Sequence, residues 1–210
     1  MIKTRQNALI MTDIQLDFCP GGALAVNEGD QIIPVVNAIA AKFDKIIATQ
    51  DWHPADHLSF AANHPGKNIY DMVELGGVPQ VLWPAHCVQG TPGAGFHPDL
   101  DLRPVDLIIR KGTNRGIDSY SAFMENDKKT QTGLEGFLKG LGITQLFFTG
   151  LATDYCVFYS AVDAVNLGFE VFVILDACRG VNVPANNVET AKQDMARQGI
   201  VLIESGDLPQ

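Results

Sequence analysis

The sequence contains no Cys-x-x-Cys pair; its four cysteines, Cys19, Cys87, Cys156 and Cys178, stand far apart. In a chain of 210 residues this argues against a disulfide framework and fits separate, reduced thiols. Positive charge is scarce: 15 Lys and Arg face 24 Asp and Glu, for a net charge of −9. A phosphate backbone is a poor partner for such a chain, so no nucleic acid is expected. No apolar run approaches the length of a membrane span, and Met1 to Asn7 leads toward the first apolar run without a signal-peptide core. A soluble, cytoplasmic protein that does not engage membranes is the expectation. No Gly-x-Gly-x-x-Gly follows the first apolar run, which removes the usual dinucleotide-binding turn. Repeats, low-complexity runs and linkers are lacking too, so residues 1–210 read as one domain. What is present is ordinary for a full core: 46% hydrophobic and 19% charged residues.

The chain is organised around Leu146 to Val157. The apolar run Leu146-Phe147-Phe148-Thr149 breaks at Gly150, and apolar positions then recur at Val157, Phe158, Ala161, Val162 and Val165. This reads as strand, tight turn and helix, with Thr153 as N-cap and Cys156 in the first helical turn. Free N–H groups and the helix dipole at that place are expected to lower the thiol pKa, which makes Cys156 a candidate nucleophile beside candidate oxyanion donors. A small buried apolar residue is an equally good reading of Cys156 from this stretch alone.

The other elements follow a βα rhythm. Ala8 to Asp13 and Lys45 to Asp51 are continuous apolar runs ending in acids, and Asp106 to Gly112 is a third run whose end carries Lys111. Continuous hydrophobicity suits strands buried on both faces of a parallel sheet. Helices are expected over Asp30 to Phe43, from the apparent capping box Thr132-Gly133-Leu134-Glu135 onward, and over Asn186 to Gln198; further strands over Phe169 to Asp176 and Ile200 to Ile203. Together these predict a three-layer α/β/α fold around a doubly wound, six-stranded, mainly parallel sheet. The exception is residues 52–105, a long connection without sustained periodicity that holds both tryptophans and all five histidines. A segment of that composition is read as functional rather than disordered.

In a parallel sheet the C-terminal strand ends share one edge, which gathers Asp13, Asp51, Lys111 and Cys156. An acid, an amine and a thiol suit covalent acyl transfer. Asp51 and His53, two apart in an extended segment, face the same way and can share a cation, with His86 able to complete an Asp/His/His set. His57 is a further candidate ligand.

The motifs Asp-x-Gln-x-Asp-Phe at 13–18, Asp-Trp-His-Pro at 51–54, Trp-Pro-x-His-Cys at 83–87, Lys-Gly at 111–112 and Gly-x-Ala-Thr-Asp-x-Cys-Val at 150–157 occur in one order along this chain. With them the chain resembles the isochorismatase-like cysteine hydrolases, and within these the nicotinamidase (pyrazinamidase) branch. The resemblance implies a triad of Asp13, Lys111 and Cys156. It implies one divalent metal ion, Zn, Fe or Mn, on Asp51, His53 and His86, with His57 a fourth ligand in some relatives. It implies a cis peptide before Ala152, with the Ala152 and Cys156 amides as oxyanion donors. Phe18, Trp83 and Tyr155 would line the substrate pocket, with Tyr120 near it. The implied reaction is hydrolysis of nicotinamide through a thioester, in NAD salvage, with the oligomeric state left open. A relative acting on another amide or on isochorismate, and a non-catalytic domain that binds metal, are the alternatives.

Overall fold

The computed structural model describes residues 6–208. Met1 to Arg5, part of the lead-in segment considered above, lie outside the described residues. Strands β1 (Asn7–Thr12), β2 (Ile46–Asp51), β5 (Leu107–Lys111), β6 (Gln145–Leu151), β7 (Glu170–Arg179) and β8 (Val201–Ile203) form one sheet in the order β5-β2-β1-β6-β7-β8, every pair parallel. The chain winds outward from β1 in one direction and then from β6 in the other. The switch between β1 and β6 opens a crevice at the C-terminal strand ends.

Alternation along the strands supplies both layers of core. Leu9, Met11, Ala48 and Phe147 face one side and pack with Ile33, Val36 and Ile39 of α1 (Ile33–Ala40). Ala8, Ile10, Ile47, Leu146 and Phe148 face the other. There they meet Leu134 and Leu138 of α2 (Leu134–Gly140), Ala161 of α3 (Phe158–Asn166) and Met195 of α4 (Asn187–Arg197). The sheet is thus sandwiched as the apolar runs predict. No helix among the described residues is long and apolar enough to cross a membrane.

Four local expectations change. The helix expected over Asp30 to Phe43 is a 3₁₀ turn, Gly29–Ile32, followed by the shorter α1, where Pro34 sits at the start and has no N–H to give up. The capping box at Thr132 does not form. Gly133, at φ 96°, caps α2; the Thr132 hydroxyl donates to Ala122 O at 2.6 Å, and Glu135 pairs with Lys139 instead of reaching back. The fifth sheet strand extends to Arg179, past a register shift opposite Phe148 and Gly150. The long connection is not wholly irregular. It contains an antiparallel hairpin, β3 (Met72–Leu75) and β4 (Val78–Val81), turned by Gly76 and Gly77 at positive φ.

Candidate active site

Each catalytic candidate hangs from a strand end. Asp13 follows β1 in the left-handed region (φ 48°) and is fully buried. Its N–H donates to Thr49 Oγ1 at 3.1 Å, and the Thr49 hydroxyl donates back to Asp13 Oδ1 at 2.6 Å. Lys111, the last residue of β5, extends into the crevice. Its Nζ lies 2.8 Å from Asp13 Oδ2 and 3.4 Å from Cys156 Sγ, donates to Ser119 O at 3.0 Å, and forms a short ion pair with Asp51 Oδ1. One buried ammonium thus touches both carboxylates and the thiol. Oxygens of Asp13 and Asp51 and the sulfur of Cys156 fall within 4.8 Å of one another.

The turn carrying Cys156 differs from the expected N-cap geometry. Thr153 does not cap it. Ala152 is extended (φ −100°, ψ 147°), and its carbonyl accepts the Tyr155 and Val157 N–H groups, so Thr153–Val157 is a π-type turn leading into α3. The Leu151–Ala152 peptide is cis. Gly150, at φ 110°, lets β6 pass against β1, since a Cβ there would stand 2.0 Å from Thr12 O. Cys156 is therefore held deeper than a helix-start cysteine. Burial pushes its thiol well above the ordinary range, the Asp13 and Asp51 carboxylates add to this, and Lys111 opposes them. The lowered pKa expected from the helix dipole does not hold. Burial likewise raises Asp13, with Lys111 pulling it back and Asp51 pushing further. A neutral thiol beside a carboxylate of raised basicity suits proton transfer at the moment of attack.

The long connection supplies the second half. Asp51 Oδ2 lies 3.6 Å from His53 Nε2 and 3.8 Å from His86 Nε2, and the three side chains are buried. His53 Nδ1 donates to Gly112 O and His86 Nδ1 to Pro84 O, each at 2.8 Å. Both rings are thereby held in the tautomer that turns an Nε2 lone pair toward Asp51. His53 Nε2 is buried without a hydrogen-bond partner among the described residues. Burial works against charge on His53, yet the Asp51 carboxylate keeps its pKa raised; burial and His53 pull His86 down to about 4. An unpartnered buried nitrogen, a second imidazole and a carboxylate converging on one point fit a divalent cation. His57 does not join them. Its Nδ1 meets Ser59 Oγ at 2.7 Å and its Nε2 meets Ile117 O at 3.3 Å.

Side chains unremarked in the sequence hold this geometry. The Gln15 amide accepts Asp51 N–H at 2.8 Å and donates to Asp51 O at 2.9 Å. Asp17 accepts Ala23 N–H at 3.2 Å and Cys87 N–H at 2.7 Å, the latter beside His86. Gly112 is required because a Cβ there would stand 2.3 Å from the His53 ring, which explains the Lys-Gly pair. The spacing of Gln15 and Asp17 after Asp13 was visible; their partners, 36 and 70 residues away, were not.

Between the two halves lies a pocket lined by Phe18, Trp83, His86, Ala152, Tyr155 and Cys156, among others. Trp83 meets Tyr155 edge-on at 4.9 Å, and its Nε1 donates to Tyr120 OH at 3.0 Å. A larger hollow of about 380 Å³ lies across Tyr120 and Tyr155 but has no thiol or histidine in its lining. Residues 7–207 match the isochorismatase domain.

The chain belongs to the isochorismatase family.

Within the family, the nicotinamidase of Acinetobacter baylyi is 51% identical over 96% of this chain and 94% of its own. A solved Acinetobacter baumanii nicotinamidase/pyrazinamidase superposes with a TM-score of 0.96 at 51% identity, covering 99% of this chain and 100% of the other. The Pyrococcus horikoshii pyrazinamidase, solved in complex with zinc, gives 0.78 at 39% identity over 95% and 99%.

Proposed function

We infer that this protein, acting as one isochorismatase-like domain over residues 1–210, hydrolyses nicotinamide, and pyrazinamide with it, to the corresponding acid and ammonia. The observation that carries the reading is Lys111, whose Nζ contacts Asp13, Asp51 and Cys156 together and so joins a nucleophile, a base and a metal donor set. The similarity to nicotinamidases at 51% identity names the substrate class.

In the proposed reaction Asp13 accepts the Cys156 thiol proton as sulfur attacks the carboxamide carbon. The amides of Ala152 and Cys156 receive the developing oxyanion. Asp13 passes its proton to the leaving ammonia, which leaves a thioester on Cys156. It then takes a proton from water as that water attacks the thioester, and returns it to the sulfur as nicotinate departs. Lys111 orients Asp13 and balances its charge throughout. Phe18, Trp83 and Tyr155 supply apolar and aromatic walls for a planar ring. Asp51, His53 and His86 would hold one divalent cation, for which zinc is our choice, and when bound it supplies a Lewis-acid contact for the pyridine nitrogen. Four free, buried thiols are in keeping with a cytoplasmic setting, where the product would re-enter pyridine nucleotide synthesis.

Benzamide offers the same ring size and amide without a ring nitrogen. Nicotinamide and pyrazinamide should be turned over well and benzamide poorly, with a gap of about 10² expected from lost orientation. Ammonia release measured on the three amides decides. No release from nicotinamide overturns the activity; equal rates on benzamide and nicotinamide overturn the role given to the cation.

A further inference from the structure

Asp118 has no part in the reaction above, although its buried side chain (3% exposed) lines the same pocket as His86 and Cys156. Its Oδ1 accepts the Ser119 N–H at 2.8 Å and its Oδ2 accepts Gln80 Nε2 at 3.0 Å. Both donors are neutral, and among the described residues no lysine or arginine forms an ion pair with it. A carboxylate buried against neutral donors alone is costly, so positive charge nearby is the missing part of its surroundings. The pairing in the crevice points the same way: Lys111 reaches Asp13 and Asp51 but makes no ion pair with Asp118 among the described residues.

The position of Asp118 suits that cation. One of its oxygens, a ring nitrogen of His53 and one of His57 fall within 4.8 Å of one another. These three do not make a second metal seat, because Ile117 O occupies His57 Nε2 and Ser59 occupies Nδ1 with both its N–H, at 3.1 Å, and its hydroxyl. What remains is an acceptor beside His53, whose Nε2 is the unpartnered nitrogen of the donor set. A cation held by one carboxylate and two imidazoles keeps open positions for water, and the protons of such a water, made acidic by the ion, need an acceptor. Carboxylates one layer out from the ligands commonly serve in that way.

We propose that Asp118 is the outer-sphere carboxylate of the metal centre, accepting a hydrogen bond from a water bound to the ion and so strengthening the hold of the site on it. This rests on the reading of Asp51, His53 and His86 as metal ligands. Asp118 is a positioning residue, and its effect should be read in metal binding rather than in turnover alone.

The test uses Co²⁺ as probe. Protein stripped with a chelator is titrated with Co²⁺, following the visible absorption of the ion and its competition with a chromophoric chelator. Wild type, Asp118→Asn and Asp118→Ser are compared; serine leaves room for a water to meet Gln80 and Ser119 should the asparagine variant not fold. The expected result is a Co²⁺ affinity lower by about 10- to 100-fold, with an altered absorption band and a metal-free melting temperature equal to wild type. Wild-type affinity in a folded variant overturns the proposal. So does a weakened affinity matched by an equally weakened metal-free protein, which would make Asp118 a structural acceptor only. A stripped wild-type protein that takes up no Co²⁺ overturns the metal reading itself, and Asp118 falls with it.

Discussion

The two halves of the site are built by different means. Asp13, Lys111 and Cys156 are delivered by strand ends of a parallel ladder whose register ties Asp51 to Lys111 and Thr12 to Gly150. His53, His86 and Trp83 come from residues 52–105, where regular structure is limited to short 3₁₀ turns and the small hairpin β3–β4. There the backbone is tied by isolated contacts: His53 N–H to Cys87 O at 3.0 Å, Gln89 N–H to His53 O at 2.8 Å, Trp83 N–H to Ser59 O at 2.8 Å. Side chains complete the work, with Asp17 on Cys87 and Gln80 on Asp118 and Tyr120. The ladder half draws its rigidity from cooperative strand pairing. The loop half draws it from a few buried polar contacts, each of which is exposed to single substitutions. Lys111 is the joint between them.

That contrast can be broken most severely at the nucleophile. Cys156→Ala should abolish thioester formation and lower kcat by on the order of 10³ or more, while fold and metal content stay as in the wild type. Substantial ammonia release by this variant, measured beside its bound metal, would sink the covalent mechanism.

Lys111→Met acts on both halves at once, and its signature is a pH profile. Burial already raises Asp13, and Lys111 is what opposes that rise. Without the ammonium the carboxyl pKa climbs further, so Asp13 stays protonated to higher pH and cannot accept the thiol proton. The acid limb of kcat/KM should therefore move to higher pH, with kcat at neutral pH reduced by about 10²-fold or more, in the range of general acid–base losses. An acid limb identical to wild type would make the lysine a bystander.

The smallest expected effect isolates the loop half. Asp17→Ala removes the acceptor of Cys87 N–H beside His86 and leaves Asp13, Lys111 and Cys156 untouched. Metal affinity should weaken by about tenfold, the low end for groups that orient ligands, and saturating metal should restore most of the activity. Loss of activity that excess metal does not recover would show that the two halves are not separable in this way.

Much of this was legible beforehand. The apolar runs before Asp13 and Asp51 mark strands buried on both faces, as found, and a parallel sheet places their ends and that of β5 on one edge. Strand β5 itself departs from the expectation, because it is the outermost strand and leaves Ile108 and Arg110 exposed. Less legible was the state of Cys156. A cysteine after a strand and a turn suggests dipole activation, yet burial raises its pKa, with Asp13 and Asp51 adding and Lys111 opposing, and local spacing does not encode any of these. His57 shows the same limit. Its place among the clustered histidines makes it a candidate ligand, but Ser59 and Ile117 occupy both of its nitrogens. The apparent capping box at Thr132 fails because the helix starts one residue later, with Gly133 as its cap, and Glu135 pairs with Lys139 rather than reaching back.

By itself the sequence determined the order of the six sheet strands and of the helices between them, the reactive residues at the strand ends and the gathering of histidines in one connection, because hydrophobic periodicity and residue chemistry are local properties. The tertiary structure alone decided that Lys111 bridges both carboxylates and the thiol, which histidine nitrogens are left free, and that Asp118 lies buried beside His53. Those outcomes depend on burial and on partners tens of residues away, where desolvation and unpaired polar atoms set the energies.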